Sequence, residues 1–143
     1  MVAATAKLVM EIIHSRPPIY DKIIAAGMKP SDTVVYAVGH KLFNPSGANV
    51  SIDILKHEET HEVQQGDNPD AWWTKYLIDP EFRVSQEAEA YGAQYAFICQ
   101  QTRDREKRHK VLMELAYILS GDIYGRVIKH MEAYALIKKL SKT

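Results

Sequence analysis

Lys56-His57-Glu58-Glu59-Thr60-His61-Glu62 decides how the chain is read. It contains His-Glu-x-x-His, and on a helix His57 and His61, four positions apart, lie one turn above each other on the same face. Their ring nitrogens can then reach one metal ion, with Glu58 rotated about 100° round the axis. Zinc is the ion that fits, because two neutral imidazoles and one carboxylate leave a fourth position for water. Glu58 is spaced to take the proton from that water. The pattern therefore points to a zinc-dependent hydrolase, provided that residues 52–65 are helical and a third ligand follows downstream. A closed structural zinc site is the competing reading, but it needs four protein ligands and is usually rich in cysteine, and Cys99 is the chain's one cysteine.

Length and composition bound the rest. With 143 residues and 46% hydrophobic ones, the chain is expected to form one domain, 1–143, with a real core. Eighteen basic residues balance eighteen acidic ones, so there is no general electrostatic attraction to nucleic acid or to an anionic membrane. A lone cysteine excludes an internal disulfide framework and suits a reducing compartment. Met1 to His14 lacks a basic n-region and has Glu11 inside its apolar part, so it reads as an amphipathic helix and not a signal peptide. No apolar run approaches the length of a membrane span. The expectation is a soluble, cytoplasmic protein.

Outward from the motif, the patterning changes twice. Residues 3–14, with Leu8, Val9, Ile12 and Ile13 at helical spacing, predict a helix stopped by Pro17-Pro18. A second short helix is expected from Tyr20 to Ala26, closed by Gly27. Thr33 to Val38 is β-branched and aromatic and predicts a strand; Lys41-Leu42-Phe43 is its hairpin partner, followed by a turn at Asn44-Pro45-Ser46-Gly47. Ser51 is the expected N-cap of the motif helix and Gly66 its end. On that helix His57, His61, Ile54 and Gln64 share one side, with Ile52, Leu55 and Val63 opposite, which predicts a helix buried between other elements. Glu59 falls among the opposite apolar residues, beside a basic partner at the edge of the core. Further on, Asp70 is expected to cap a helix whose Trp72, Trp73 and Tyr76 pack in the core. Asp79-Pro80 should break it. A longer helix is expected from Ser85 to Gln101, then helices over Val111–Leu119 and Ile123–Leu140, the charged run Arg103 to Lys110 being a solvated face and helix start. The fold class is α+β: mostly helical, with a small antiparallel hairpin before the motif helix.

Glu81, Glu87 and Glu89 are the downstream candidates for a third ligand. On the helix expected near them, Val84, Ala88, Tyr91, Tyr95 and Ile98 form one apolar stripe. At 100° per residue Glu87 lies about 60° from the centre of that stripe and Glu89 about 140° away. Glu87 can therefore look inward as a ligand, while Glu89 faces solvent or a partner behind the ligands. The bland alternative for Glu87 is a flank carboxylate in a salt bridge.

These residues also carry a resemblance. His57-Glu58-x-x-His61 followed by Glu87-Ala88-Glu89-Ala90 on a second helix resembles the gluzincin branch of the zincin metallopeptidases. Over residues 33–128 the chain is also similar to small uncharacterised phage and bacterial proteins. The matching stretches are His57 to Gln65, Trp72-Trp73, Tyr76-Leu77, Phe82-Arg83 and Glu87 to Tyr91, together with Val38-Gly39, Asn44 to Gly47 and Leu119-Ser120-Gly121. The resemblance implies a zincin-like fold, a Zn²⁺ site on His57, His61 and Glu87, and a peptide or protein substrate. For a phage-encoded protein it implies the host cytoplasm. It also implies that a strand before the motif helix holds an extended peptide by main-chain pairing. Tyr36, Ala37, Val38, Gly39 and His40 are the candidates for that strand.

A zinc peptidase of this kind needs Glu58 as general base and a further donor for the developing oxyanion. His40, Tyr91 and Tyr124 remain open for that role, with Glu89 behind the ligands. A single domain of 143 residues is expected to have no separate substrate domain of the kind larger peptidases carry. A non-catalytic zinc-binding structural or interaction protein is therefore the alternative. Retention of Glu58, which zinc binding does not require, argues for the enzyme.

Overall fold

The computed structural model describes residues 10–142. The expected α+β class is observed: helices dominate and a small sheet precedes the motif helix. The strands are β1 (Glu11–Ile13), β2 (Tyr36–Val38) and β3 (Lys41–Phe43), in the order β1-β3-β2. The expected hairpin is present, with Tyr36 opposite Phe43 and Val38 opposite Lys41 in antiparallel pairing. It turns at Gly39, whose φ of +60° favours a residue without Cβ. The strand is shorter than its β-branched run, because Ser31 forms a turn: its carbonyl accepts from the Val34 N–H and its hydroxyl from the Thr33 N–H.

The helix expected over residues 3–14 is corrected at its end. Glu11–Ile13 is a strand running parallel to β3. Its carbonyls and amides find partners there, with Glu11 N–H on the His40 carbonyl and Asn44 N–H on the Ile13 carbonyl, both at 2.8 Å. A free sheet edge and two adjacent β-branched residues outweigh the helical spacing. The earlier part of that expected helix, residues 3–9, lies outside the described residues.

Among the described residues six α-helices follow or flank the sheet: α1 (Tyr20–Ala25), α2 (Ile52–Gln65), α3 (Pro69–Ile78), α4 (Pro80–Gln101), α5 (Arg105–Leu119) and α6 (His130–Ser141). Three boundaries differ from expectation. Asn68, not Asp70, caps α3 by accepting from the Ala71 N–H, with Pro69 at the first helical position. Asp79-Pro80 both ends α3 and starts α4, since Asp79 accepts from the Phe82 N–H and the ring of Pro80 suits a first turn. The helix expected over Ile123–Leu140 is split. A single 3-10 turn (Asp122–Tyr124) is followed by Gly125 and Arg126 at φ +89° and +54°, a backbone that no α-helix contains, and α6 begins only at His130.

α4 is the central element, packed on α2, α3, α5 and α6. Of its expected stripe Val84, Ala88, Tyr91 and Tyr95 are buried, and Ile98, towards the end of the helix, is half-buried. It crosses α6 closely: a Cβ on Gly92 would stand 3.1 Å from the Leu140 Cβ and 3.2 Å from its carbonyl carbon. Leu42, Leu112, Leu119 and Ile137 are the largest fully buried side chains, and Trp72, Trp73 and Tyr76 share one core with Leu112, Leu119 and Ile137. Arg83, also buried, donates to the Tyr76, Leu77 and Tyr124 carbonyls, so it closes the end of α3 and fastens the 3-10 turn to it.

α2 is buried on one side only, where burial on both was expected. Its buried residues are His57, Glu58, His61, Glu62 and Gln65, while Ile52 and Val63 are 59% and 66% exposed. The helix turns its polar face towards α4 and β2, and the apolar face that should have packed elsewhere is left outside. Glu59 does have a basic neighbour, Lys56, with Nζ 3.8 Å from Oε1 on the same helix. Among the described residues no helix is long and apolar enough to cross a membrane.

Candidate metal centre

Buried polar side chains cost several kcal/mol unless each finds a partner, so a helix face made of them implies a purpose. On α2, His57 and His61 present Nε2 atoms 3.1 Å apart. Glu87 on α4 places its Oε1 3.1 Å from each of them. Tetrahedral ligands at zinc–nitrogen bonds of about 2.0–2.1 Å lie about 3.3–3.4 Å from one another, so this triangle has the right size. All three residues are about 5% exposed or less. Together they form a group able to hold a metal ion.

The other ends of the three side chains show why their lone pairs converge. The Nδ1 of His57 is 3.1 Å from the Gln94 Oε1, and the Nδ1 of His61 is 2.8 Å from the Gln64 Oε1. Both amides are oriented by what their NH₂ groups donate to. Gln94 Nε2 donates to Asp53, and Gln64 Nε2 donates to the Gln86 carbonyl and to Glu89. Each Nδ1 therefore carries the proton, and each neutral ring aims its Nε2 lone pair at Glu87. The second oxygen of Glu87 is satisfied by the Tyr76 hydroxyl at 2.6 Å. Two lone pairs and one carboxylate oxygen then face one point, and such a set demands a cation. With protein atoms alone a proton answers the demand: burial disfavours charge on His61, but Glu87 outweighs it and the ring is raised to about 9. Burial likewise works against the Glu87 carboxylate, yet His61 and His57 hold its pKa well below the usual range. A divalent cation satisfies the same atoms with more charge.

Glu58 stands beside the triangle and outside it, with Oε2 3.7 Å from the His57 Nε2. Its carboxyl is raised, first by burial; His57 and His61 and a hydrogen bond from the Ala37 N–H pull against that without cancelling it. A raised carboxylate next to a metal-binding triangle is a better proton acceptor than an ordinary one.

Glu58, His57, His61 and Glu87 open onto a cavity of about 280 Å³. Its far walls are mainly apolar, including Ile23, Met28, Val34, Leu115, Ile118 and Ile123. Tyr91 and Tyr124 line it too; their hydroxyls are 2.8 Å apart, and the Tyr91 ring packs edge-on against His57 with centroids 4.3 Å apart. His40 is not among its lining residues. It sits at the hairpin turn, bonded through Nδ1 to the buried Glu62 at 2.6 Å. The other oxygen of Glu62 is buried without a partner among the described residues. Glu89 is exposed, facing Gln64, two bonds removed from the ligands.

No family model matches the chain, and neither the curated proteins nor the solved structures include a match. The site is thus read from its own geometry.

Several contributors went unassigned in the sequence. Gln94 lies seven residues after Glu87 and Asp53 four before His57, spacings that place each on its ligand's helix face; those spacings were the available signal. Tyr76 reads as a core aromatic, and it is one, but its hydroxyl also supports Glu87. Gln65 carries no motif at all. Its amide accepts from the Gly39 N–H at 2.7 Å and donates to the Ala37 carbonyl at 2.8 Å, and Trp73 Nε1 donates to the same carbonyl at 3.2 Å. The outer edge of β2 between Ala37 and Gly39 is therefore already paired by the protein itself.

Proposed function

We propose that the chain is a zinc-dependent hydrolase of the gluzincin type, a small peptidase in which His57, His61 and Glu87 hold the ion and Glu58 is the general base. The observation that carries the proposal is the buried triangle of Nε2, Nε2 and Oε1 atoms, 3.1 Å on each side, with a raised carboxylate next to it. When bound, zinc supplies an acidified water and polarises the carbonyl to be attacked. Glu58 accepts the proton of the attacking water and returns it to the leaving nitrogen. Burial keeps the Tyr91 and Tyr124 hydroxyls protonated, because it raises both well above their ordinary value. One of the two donates to the other, which leaves one O–H of the pair as a donor for the developing oxyanion. Arg83 holds that pair in place through the Tyr124 carbonyl.

The substrate class follows from the walls. Among the described residues, the cavity lining has no acidic side chain apart from Glu58 and Glu87 and no Lys or Arg, so it favours an uncharged, apolar residue of a peptide. Gln65 and Trp73 occupy the β2 edge at Ala37–Gly39, and Ser31 takes the Thr33 and Val34 amides, so the Tyr36–His40 strand and the turn before it leave little main chain for pairing with a peptide, and the apolar walls hold the substrate instead. The single cysteine, Cys99, is free, which suits the cytoplasm as its place. Mass-spectrometric mapping of a peptide library digested by the zinc-loaded protein is the test. Cuts should lie next to apolar residues and stop on chelation. A zinc-loaded protein that cleaves no peptide would instead support the non-catalytic zinc-binding alternative.

The metal must displace the proton held between His61 and Glu87. With His61 raised to about 9, each unit of pH below that value adds one decade of proton competition, so zinc affinity should rise about tenfold per unit between pH 6 and 8 and level off near 9. Chelator competition at three pH values measures the slope. An affinity independent of pH over this range would show that His61 gives up no proton to bind metal.

A further inference from the structure

The metal-binding histidines share an arrangement that the proposed reaction does not itself require. Behind His57 the chain of contacts is Nδ1 to Gln94 Oε1 at 3.1 Å, then Gln94 Nε2 to Asp53 Oδ2 at 2.8 Å. Behind His61 it is Nδ1 to Gln64 Oε1 at 2.8 Å, then Gln64 Nε2 to Glu89 Oε1 at 3.0 Å. Two histidines thus end, through a neutral amide, on two carboxylates that are less buried than the ligands. Each relay also crosses between α2 and α4, in opposite senses: Asp53 and His57 on α2 with Gln94 on α4, then His61 and Gln64 on α2 with Glu89 on α4.

Charge explains why an amide stands between. Glu58 and Glu87 already balance the two charges of a divalent cation. A carboxylate placed directly on each imidazole would put four anions round one cation in a buried space, and buried unbalanced charge is costly. A glutamine can hold the Nδ1 proton, and hence the Nε2 lone pair, without adding charge. Its own amide is held the right way round by acceptors at its other end: Asp53 for Gln94, and Glu89 together with the Gln86 carbonyl for Gln64.

We infer that Gln94 and Gln64, each oriented by its carboxylate, are the positioning residues that fix the proton on Nδ1 of His57 and His61 and so set the affinity of the centre for zinc. The inference rests on the metal centre proposed above. Removing such a contact typically weakens metal affinity about 10–100-fold.

The test uses the full chain with zinc as the probe, and compares the parent with Gln94→Leu, Gln64→Leu and the exchange Asp53→Asn with Gln94→Glu. Zinc affinity is measured by chelator competition, and the Nδ1 protons by NMR on the zinc-loaded protein. Gln94→Leu should weaken zinc about 10–100-fold and lose the exchange-protected Nδ1 proton of His57 alone; Gln64→Leu should do the same at His61 alone. In the exchange, the amide introduced at position 53 donates to the carboxylate introduced at position 94, which still accepts from His57. The proton should then return, and affinity should recover from the Gln94→Leu level towards the parent, because the charge carried by positions 53 and 94 together is unchanged. If Gln94→Leu fails to fold, Gln64→Leu at its half-buried position carries the same test. Leucine variants that bind zinc like the parent and keep both Nδ1 protons would overturn the relays while leaving the centre intact. A parent that binds no zinc at all would overturn the centre first, and the relays with it.

Discussion

Glu58→Gln should keep one zinc per chain and lose peptide hydrolysis by a factor of about 10²–10⁴, the usual contribution of a positioned general base. The two side chains have the same shape, and Glu58 stands 3.7 Å from the nearest ligand nitrogen without closing the triangle, so the metal loses no ligand. What disappears is the lone pair that takes the water's proton, because an amide oxygen is too weak a base at neutral pH. Folding should not suffer, since the substitution removes a buried charge that is only partly compensated. Zinc stoichiometry, cleavage rate and melting temperature on the same preparation separate the three effects. A variant that cleaves as fast as the parent would remove Glu58 from the mechanism.

His57→Ala, His61→Ala and Glu87→Ala should each abolish stoichiometric zinc. Each takes one corner from a triangle of three, and each leaves a buried donor set aimed at nothing. Glu87→Ala should be as severe as the histidine variants because it also strands the Tyr76 hydroxyl, whose partner is the Glu87 carboxylate. Glu89→Ala should cost about 10–100-fold at most, as it only frees the Gln64 amide, which keeps the Gln86 carbonyl. Competition with a chelator ranks all four. Zinc lost from Glu89→Ala but retained by Glu87→Ala would reverse the ligand assignment.

The choice between Glu87 and Glu89 was legible in the sequence because it depends on one angle about a helix, and α4 is regular enough to keep it. The hairpin was legible for a similar reason: a β-branched run before a glycine turn and Leu42-Phe43 after it leave few alternatives. What failed did so where partners distant in sequence decide. Ile12 and Ile13 have helical spacing with Leu8 and Val9, yet they pair with β3, thirty residues on, because that edge would otherwise go unpaired. The break after Tyr124 was hidden because Gly125 is a single glycine in an otherwise helical pattern; only Arg83, reaching from α4 to the Tyr124 carbonyl, shows what the break achieves. The apolar side of α2, expected to be buried as well as the histidine side, misled most. Hydrophobic periodicity assumes that buried means apolar, and on α2 the buried face is the site itself, so Ile52 and Val63 are outside. Gln65 was invisible for the same reason, as a polar residue that serves one end of a strand edge.

Metal analysis of the protein purified without added metal tests the central claim most directly. Protein with one zinc per chain, removed by chelator and restored in equal amount by zinc alone, is the predicted result. Protein that carries no metal and takes up none at micromolar zinc, while folding as the parent does, would show that His57, His61 and Glu87 form a hydrogen-bonded core cluster and not a metal centre.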